Sequence, residues 1–269
     1  MPEIDRFIMK HYLDVPMILR ISRYLRDPKS KKQIAEAEGM GQPKVRGLLE
    51  WGRHLGVIEL RGDGTYMATP LGRSIDEIGS RYLYEILYWK LVKGHRAVRT
   101  IVNDFLYSKS RSFSPEFSSE ELGRFLQQRS SDLGHPTEGD LKSIYLESLN
   151  ALSKQLGGFG TLGMIVSLGD QMETFRINFY RPDWRSAAYI IYDSWPVNTS
   201  RMRISEVVSG QNRLGRIFFL TEPQVMVLLS KLEQERAIAL EVVADLRQIG
   251  LNPSMKAEDF LEMLICDQN

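Results

Sequence analysis

Residues 55–72 decide the fold, and they read Leu-Gly-Val-Ile-Glu-Leu-Arg-Gly-Asp-Gly-Thr-Tyr-Met-Ala-Thr-Pro-Leu-Gly. Two strand-like runs, 57–60 and 65–69, enclose a Gly-Asp-Gly turn, a pattern typical of a β-hairpin. Gly56 is suited to end a preceding helix, because glycine adopts the left-handed conformation of a helix C-cap. Thr69 and Pro70 are suited to begin the next helix as its cap and its first residue. The stretch therefore predicts a hairpin between two helices.

Three helices are predicted before this hairpin. Apolar residues at helical spacing predict the first helix over Val15 to Arg26. Ser30 is a suitable cap for a short second helix from Lys31 to Glu38, and after a glycine-containing turn the third helix runs from Gln42 to Leu55. Helix, short helix, turn, helix and hairpin is the order of a winged helix-turn-helix. We predict this fold for residues 1–80.

The sequence after residue 80 predicts more helices and a second hairpin. Residues 80–130 carry apolar side chains at helical spacing, and another amphipathic helix begins at Thr137 or Asp140. The run from Leu162 to Asp170 parallels the run from Leu55 to Asp63, and each follows an amphipathic helix. We therefore predict a helical domain over 81–181 that ends in a second winged-helix element. The fold class is mainly α with short β-hairpins.

An α-rich C-terminal region is predicted over residues 182–269. The run from Arg216 to Leu220 predicts a strand, and Thr221 with Pro223 predicts the start of a helix that reaches Gln234. The β-branched stretch 237–246 fits either a strand or a helix. A short capped helix is predicted over 253–265.

Composition and charge exclude several classes of protein. The 269 residues are 43% hydrophobic and 26% charged, which excludes a disordered, collagen-like or disulfide-scaffold chain. The net charge of +1 argues against a protein that coats nucleic acid by bulk charge. The charge is nevertheless divided: eleven Lys and Arg face six Asp and Glu between residues 20 and 73, whereas residues 219–269 carry four against nine. A basic face and an acidic end therefore cancel in the total.

The sequence predicts a cytoplasmic protein that does not enter a membrane. It holds one cysteine, so no internal disulfide is available. The first six residues lack an apolar signal segment, and no stretch approaches about 18 consecutive apolar residues.

The sequence contains no catalytic or cofactor motif that the surrounding pattern supports. Residues 158–163 match G-x-G-x-x-G, but a helix precedes them and a strand follows, which is the reverse of a dinucleotide site. The four histidines are scattered singly, and one cysteine cannot form a zinc finger. We therefore predict a protein that is not an enzyme and that has no cofactor and no metal.

The third predicted helix carries the candidate DNA contacts. Its apolar side is set by Val45, Leu48 and Leu49, so its polar residues face outward. In a winged helix this helix enters the major groove, where glutamine pairs with adenine, arginine with guanine, and lysine with phosphate. Trp51 on the same helix is expected in the core or at a domain interface. The predicted contacts with double-stranded DNA are Lys31, Lys32, Gln42, Lys44, Arg46, Arg53 and Arg61.

Three stretches resemble small winged-helix proteins of bacterial phage-defence islands. They are Phe117 to Leu126, Ala188 to Trp195, and Arg216 to Leu220 with the helix that follows. Such proteins include the BREX (bacteriophage exclusion) component BrxA and an uncharacterised family often found near DNA phosphorothioation genes. The resemblance implies a non-enzymatic DNA-binding accessory subunit that works with other defence-system proteins.

Two other functions stay open at this point. One is a protein-interaction subunit whose winged helices contact other proteins of a complex. The other is a transcription repressor with a ligand pocket in the aromatic-rich middle of the chain. Assembly as a homodimer is also left open.

Overall fold

The computed structural model describes residues 12–133, 136–169, 173–243 and 246–266. Within these ranges the protein is a mixture of α and β structure, predominantly helical with three small antiparallel sheets, in line with the predicted helices and short hairpins. None of the described helices has the length and apolar character needed to cross a bilayer. The elements form three successive units: unit 1 (residues 12–79), unit 2 (80–183) and unit 3 (184–266).

Unit 1 follows the predicted order of elements. Asp14, Ser30 and Thr69 cap helices with their side chains, because each accepts a backbone N–H of the first turn. Lys29, before the second helix, forms a backbone bridge with Tyr66 and so adds a third strand position to the hairpin. The elements are α1 (Val15–Tyr24), α2 (Lys31–Ala37), α3 (Gln42–His54), β1 (Ile58–Leu60), β2 (Tyr66–Ala68) and α4 (Pro70–Arg73).

Unit 2 begins with helices and ends with a hairpin in a three-stranded sheet. Ser118 and Thr137 cap helices through reciprocal capping boxes with Glu121 and Asp140. The cap at Thr137 decides between the two predicted starts of this helix. A π-helical segment, Ile101–Leu106, joins the second and third of its helices. The elements are α5 (Ser80–Gly94), α6 (Arg96–Thr100), α7 (Tyr107–Ser110), β3 (Glu116–Ser118), α8 (Ser119–Gln128), α9 (Glu138–Ser153), β4 (Ile165–Ser167) and β5 (Thr174–Ile177).

The hairpin of unit 2 pairs as an antiparallel ladder from Ile165 with Ile177 to Ser167 with Phe175. The sequence predicts both of its strands, and residues 170–172 between them lie outside the described part. The strand β3 was not predicted. It pairs with β5, so the sheet order is β3-β5-β4.

Unit 3 repeats this sheet order with a longer hairpin. The strands pair in the order β6-β8-β7, and the stretch that fitted either a strand or a helix forms β7. The elements are α10 (Trp184–Asp193), β6 (Met202–Arg203), α11 (Ile204–Ser209), α12 (Leu214–Ile217), α13 (Glu222–Gln234), β7 (Ile238–Val243), β8 (Leu246–Leu251) and α14 (Ala257–Cys266).

The prediction of a strand over Arg216 to Leu220 is wrong. The first part of this run belongs to α12, and Phe219 takes a left-handed conformation with φ 58°. Leu220 then donates its N–H to the carbonyl of Gly215 at 2.7 Å, which closes a tight turn before α13. The apolar residues of the run are buried because the helix end and the turn both face the core. A short apolar run of this kind has no periodicity that separates strand from helix.

Units 1 and 3 share a spacing that the sequence reading did not detect. Gly56 and Arg236 both have left-handed backbone, with φ 69° and 58°. The next residue in each unit, Val57 or Ala237, donates its N–H to the carbonyl five residues earlier, at 3.0 and 2.9 Å. Between residues 43 and 60, six residues recur 180 positions further on: Pro43, Val45, Leu48, Leu49, Ile58 and Leu60 match Pro223, Val225, Leu228, Leu229, Ile238 and Leu240.

One continuous hydrophobic core runs through all three units. Its centre is α5, where Ile86, Leu87, Tyr88 and Trp89 are consecutive and buried, so the helix is enclosed on every side. The ring of Tyr88 lies 5.7 Å from that of Phe159 in unit 2 and 5.7 Å from that of Phe218 in unit 3. The three units therefore pack as one body around this helix.

The C-terminal end of α5 packs against α3. Trp51 is fully buried, as the sequence predicts, and its indole stacks on the His95 ring at 5.2 Å. His54 lies 4.9 Å from the same ring, and its Nδ1 is 3.1 Å from the carbonyl oxygen of Gly94. Burial and the nearby His54 lower the pKa of His95 to about 3, so this imidazole is neutral in the folded protein.

We expect the free energy of unfolding to decrease as the pH falls below about 6.5. The unfolded chain then binds a proton at His95 that the folded chain excludes, so the stabilisation is complete above that pH and is lost below it. The decrease from about pH 7.5 to about pH 5.5 is roughly 1.4 kcal/mol for this one group. Urea unfolding at both pH values measures it.

His95→Asn is the matched variant, because asparagine keeps an acceptor for the N–H of Val98 but does not titrate. The variant should lose the His95 part of the pH dependence, whatever its stability at neutral pH. An identical pH dependence in both proteins would contradict the assignment.

The left-handed turn after α3 gives a second prediction. Gly56→Ala should lower the free energy of unfolding by about 1–2 kcal/mol, because an L side chain is strained at φ 69°. Gly62→Ala is the control, since a Cβ there meets open space and its φ is not in the left-handed range. Equal effects of the two substitutions in thermal or urea unfolding would argue against strain at residue 56.

Candidate nucleic-acid interface

The helix α3 buries one side and exposes the other. Val45, Leu48 and Leu49 lie in the core with at most 1% of their surface exposed. Gln42, Lys44, Arg46 and Arg53 are all exposed, as the sequence predicts. The buried side therefore fixes the rotation of the helix and leaves these four side chains in solvent.

Three of the exposed side chains form a stripe. At about 100° per residue, Gln42, Arg46 and Arg53 project within roughly 40° of one another. Lys44 projects from the other flank of the helix, and it is exposed because it lies in the first turn. The stripe and Lys44 thus lie on opposite flanks of the buried side of α3.

The cations differ in how much of their charge is already paired. Arg53 donates to Glu50 at 2.9 Å, and Lys32 lies 3.8 Å from Glu36. Lys44 and Arg46 have no ion pair with the described residues. An exposed unpaired cation is free to bind an anion, so these two carry most of the available positive charge of α3.

The hairpin lies beside the stripe at Tyr66, a residue of β2. Burial raises the pKa of the Tyr66 hydroxyl, Glu50 adds to the rise, and Arg53 and Arg46 oppose it. These charged side chains of α3 are therefore close to the tyrosine. The sequence reading did not single out Tyr66, because a mostly buried residue in a short strand carries no charge signal.

The remaining predicted residues flank α3. Lys31 is half-buried and Lys32 exposed at the start of α2, while Arg61 is exposed in the hairpin turn with its Nη1 3.5 Å from the Met67 sulfur. Lys29, which the sequence reading counted in the charge but did not select, has its backbone bound to Tyr66 at 2.8 and 3.0 Å. Its position in the basic segment is the signal that could have identified it.

The structure thus brings the stripe of α3, the hairpin and the residue before α2 onto one side of unit 1. Lys31 and Lys32 lie at the start of the preceding helix, α2, where the side chains of Ser30 and Gln33 form a capping box. Such an arrangement can bind a polyanion through several separated cations, with an amide and a guanidinium at its centre. Within the described ranges, no three His, Cys, Asp or Glu side chains come together as ligands for a metal ion.

Comparisons with known proteins identify a shared fold. No protein-family model matches this sequence, and no curated protein matches it. Among solved structures, "Magnesium ion-bound SspB crystal structure" aligns with a TM-score of 0.67 and 14% sequence identity, over 99% of this chain and 85% of that one. A second SspB crystal structure aligns with a TM-score of 0.63 and 15% identity over the same shares. At this identity the likeness extends to the fold alone: this chain is similar to SspB in its architecture.

Proposed function

We propose that this protein is a non-enzymatic, DNA-binding accessory subunit of a bacterial phage-defence system, and that unit 1 is a winged helix-turn-helix. The observation that carries the proposal is the exposed stripe of α3 with unpaired Arg46 beside the hairpin, together with unpaired Lys44 on the other flank of the helix. In a winged helix this helix enters the major groove with its N-terminal residues at the base edges.

Each predicted residue has a role in this complex. Gln42 and Arg46 reach base edges from the stripe, because glutamine pairs with adenine and arginine with guanine in the major groove. Lys44 binds a phosphate on the flank of the groove. Lys32 and Lys31 bind phosphate at the start of α2. Arg53 contributes less than a free arginine, because Glu50 shares its charge.

The hairpin of unit 1 acts as the wing. Arg61 in its turn is exposed and reaches an adjacent phosphate or minor groove in the proposed complex. The backbone bridge between Lys29 and Tyr66 ties the hairpin to the segment before α2, so the wing is held relative to both helices.

Units 2 and 3 are assigned to other proteins of the same system. Their strands pair in the same order as each other, and α9 and α13 begin with the acidic residues Glu138, Asp140 and Glu222 instead of lysine and arginine. Acidic side chains at these positions repel phosphate. We therefore assign DNA contact to unit 1 alone. In this proposal the protein is cytoplasmic and the three units are its functional regions.

The defence role rests on the resemblance of three stretches to proteins of phage-defence islands. In the structure, Phe117 to Leu126 spans most of β3 and α8, and Ala188 to Trp195 covers the end of α10. A specific alternative is a subunit that binds only proteins, and the acidic start of α13 favours it. Gel shifts with duplex DNA at low salt separate the two, because only the DNA-binding subunit retards the duplex.

Lys44→Ala should weaken binding to a duplex of about 20 base pairs by a similar factor for every sequence. The loss of one phosphate contact should also reduce the slope of log affinity against log salt by roughly one. Fluorescence anisotropy at several salt concentrations measures both. Lys256→Ala, which removes an exposed lysine from unit 3, is the control and should change neither. The assignment of α3 fails if the two variants behave alike.

Arg46→Ala should relax sequence preference at one base pair by about 1–3 kcal/mol, because a bidentate guanidinium contact to guanine is lost. Arg46→Lys keeps the charge without the planar fork, so it should retain affinity for random DNA and lose the same preference. Competition between a selected site and its single-base variants measures the preference. An unchanged preference in both variants would place base reading elsewhere.

A further inference from the structure

One side of α13 is open, although the matching side of α3 is covered. With the constant spacing of 180 residues, Trp51 and His54 correspond to Lys231 and Gln234, and the small Gly47 corresponds to Val227. The repeat therefore allows the two helices to be compared residue by residue.

In unit 1 this side is covered by a helix of the same chain. The end of α5 places His95 on Trp51 and the carbonyl of Gly94 on His54. Gly47 is buried as well. A helix is thus the element that this surface accepts in the first copy of the repeat.

In unit 3 the corresponding stripe of α13 is exposed. Val227 has 50% of its surface exposed, and Ser230 and Gln234 are exposed beside it. These residues are spaced at i, i+3 and i+7, so they form one continuous stripe along the helix. Val227, at the N-terminal end of the stripe, exposes apolar surface on a helix that otherwise exposes polar groups.

The stripe forms one wall of a groove of about 780 Å³. The opposite wall comes from the N-terminal ends of α5 and α10, with Arg81, Arg181 and Trp184. Met226 lies partly buried beside Val227 and makes this part of the groove apolar. The groove therefore has an apolar part at Met226, Val227 and Trp184, next to polar residues of α13 and bordered by arginines.

The border of the groove carries a positive charge. Asp183 is paired with Arg185 at 2.9 Å, so its charge is compensated from within the protein. Arg181 is exposed and has no ion pair with the described residues. Arg81 donates to the Tyr180 hydroxyl at 3.3 Å and forms an ion pair with the buried Glu85 at 3.4 Å, while 63% of its side chain stays exposed. Arg181 is therefore the uncompensated charge of this border.

We propose that this groove binds an acidic amphipathic helix of a partner protein. Apolar side chains of that helix at i, i+3 or i+4, and i+7 pack against Val227, Met226 and Trp184. Its Asp and Glu side chains face Arg81 and Arg181. The acidic helix of this chain, α14, does not fill the groove, because it packs on α10 through buried Phe260 and Leu264.

The test uses the full chain and a displayed library of helical peptides of about 16 residues with randomised surfaces. Val227→Asp places a charge in the groove. Val197→Asp is the matched control, because Val197 is 88% exposed at a loop outside it. Arg181→Glu tests the charged border. Neither valine lies in the proposed DNA interface, so duplex binding by unit 1 should be unchanged in both variants and reports separately on the proposed function.

The selected peptides should carry the apolar spacing and a net negative charge. They should bind Val227→Asp and Arg181→Glu at least about tenfold more weakly than wild type, and Val197→Asp equally well. The proposal is overturned if no peptide depends on Val227, if the selected peptides are basic, or if they lack the helical spacing. Displacement of the peptides by a single-stranded oligonucleotide would assign the groove to nucleic acid and would also overturn it.

Discussion

The enclosure of α5 is the constraint on which the rest of the structure depends. Tyr88 at its centre contacts Phe159 of unit 2 and Phe218 of unit 3, and its hydroxyl donates to the carbonyl of Ile217 at 3.1 Å. Trp89 donates its indole N–H to the carboxylate of Asp193 at 2.9 Å. The stacking of His95, just after α5, on Trp51 adds unit 1. Since a buried aromatic ring and a satisfied polar group both resist displacement, these contacts fix all three units around one helix.

Units 1 and 3 share one architecture but present different surfaces. Units 1 and 3 keep their turn geometry and the buried residues at constant spacing, because those positions determine whether the helices and the hairpin pack. Solvent-facing positions are free of that constraint, so Arg53 and Arg61 have Glu233 and Glu241 as their counterparts. The division of charge along the chain thus arises because units 1 and 3 share their packing residues but differ in their solvent-facing residues. The two surfaces suit different binding partners.

Local signals made much of unit 1 and several helix starts predictable. Caps such as Ser30 and Ser118 act within one turn of helix, so three or four residues of sequence contain the whole interaction. The strands β3 and β6 were not predicted, because short strands are defined by partners far along the chain, as with Met202 and Ile249. The stripe of α3 was predictable from its apolar side, whereas the nearness of Tyr66 and the groove beside Val227 depend on tertiary packing.

Because α5 packs over α3, it determines which truncated fragments of the protein can fold. A deletion that ends the chain near residue 80 keeps every element of unit 1 but removes His95 from the indole of Trp51 and the Gly94 carbonyl from the His54 ring. The fragment would expose the large aromatic surface of Trp51, so it would aggregate or bind without selectivity. Truncation mapping is meaningful only for fragments that retain the chain through residue 100, where the supporting helix has ended and the next has begun.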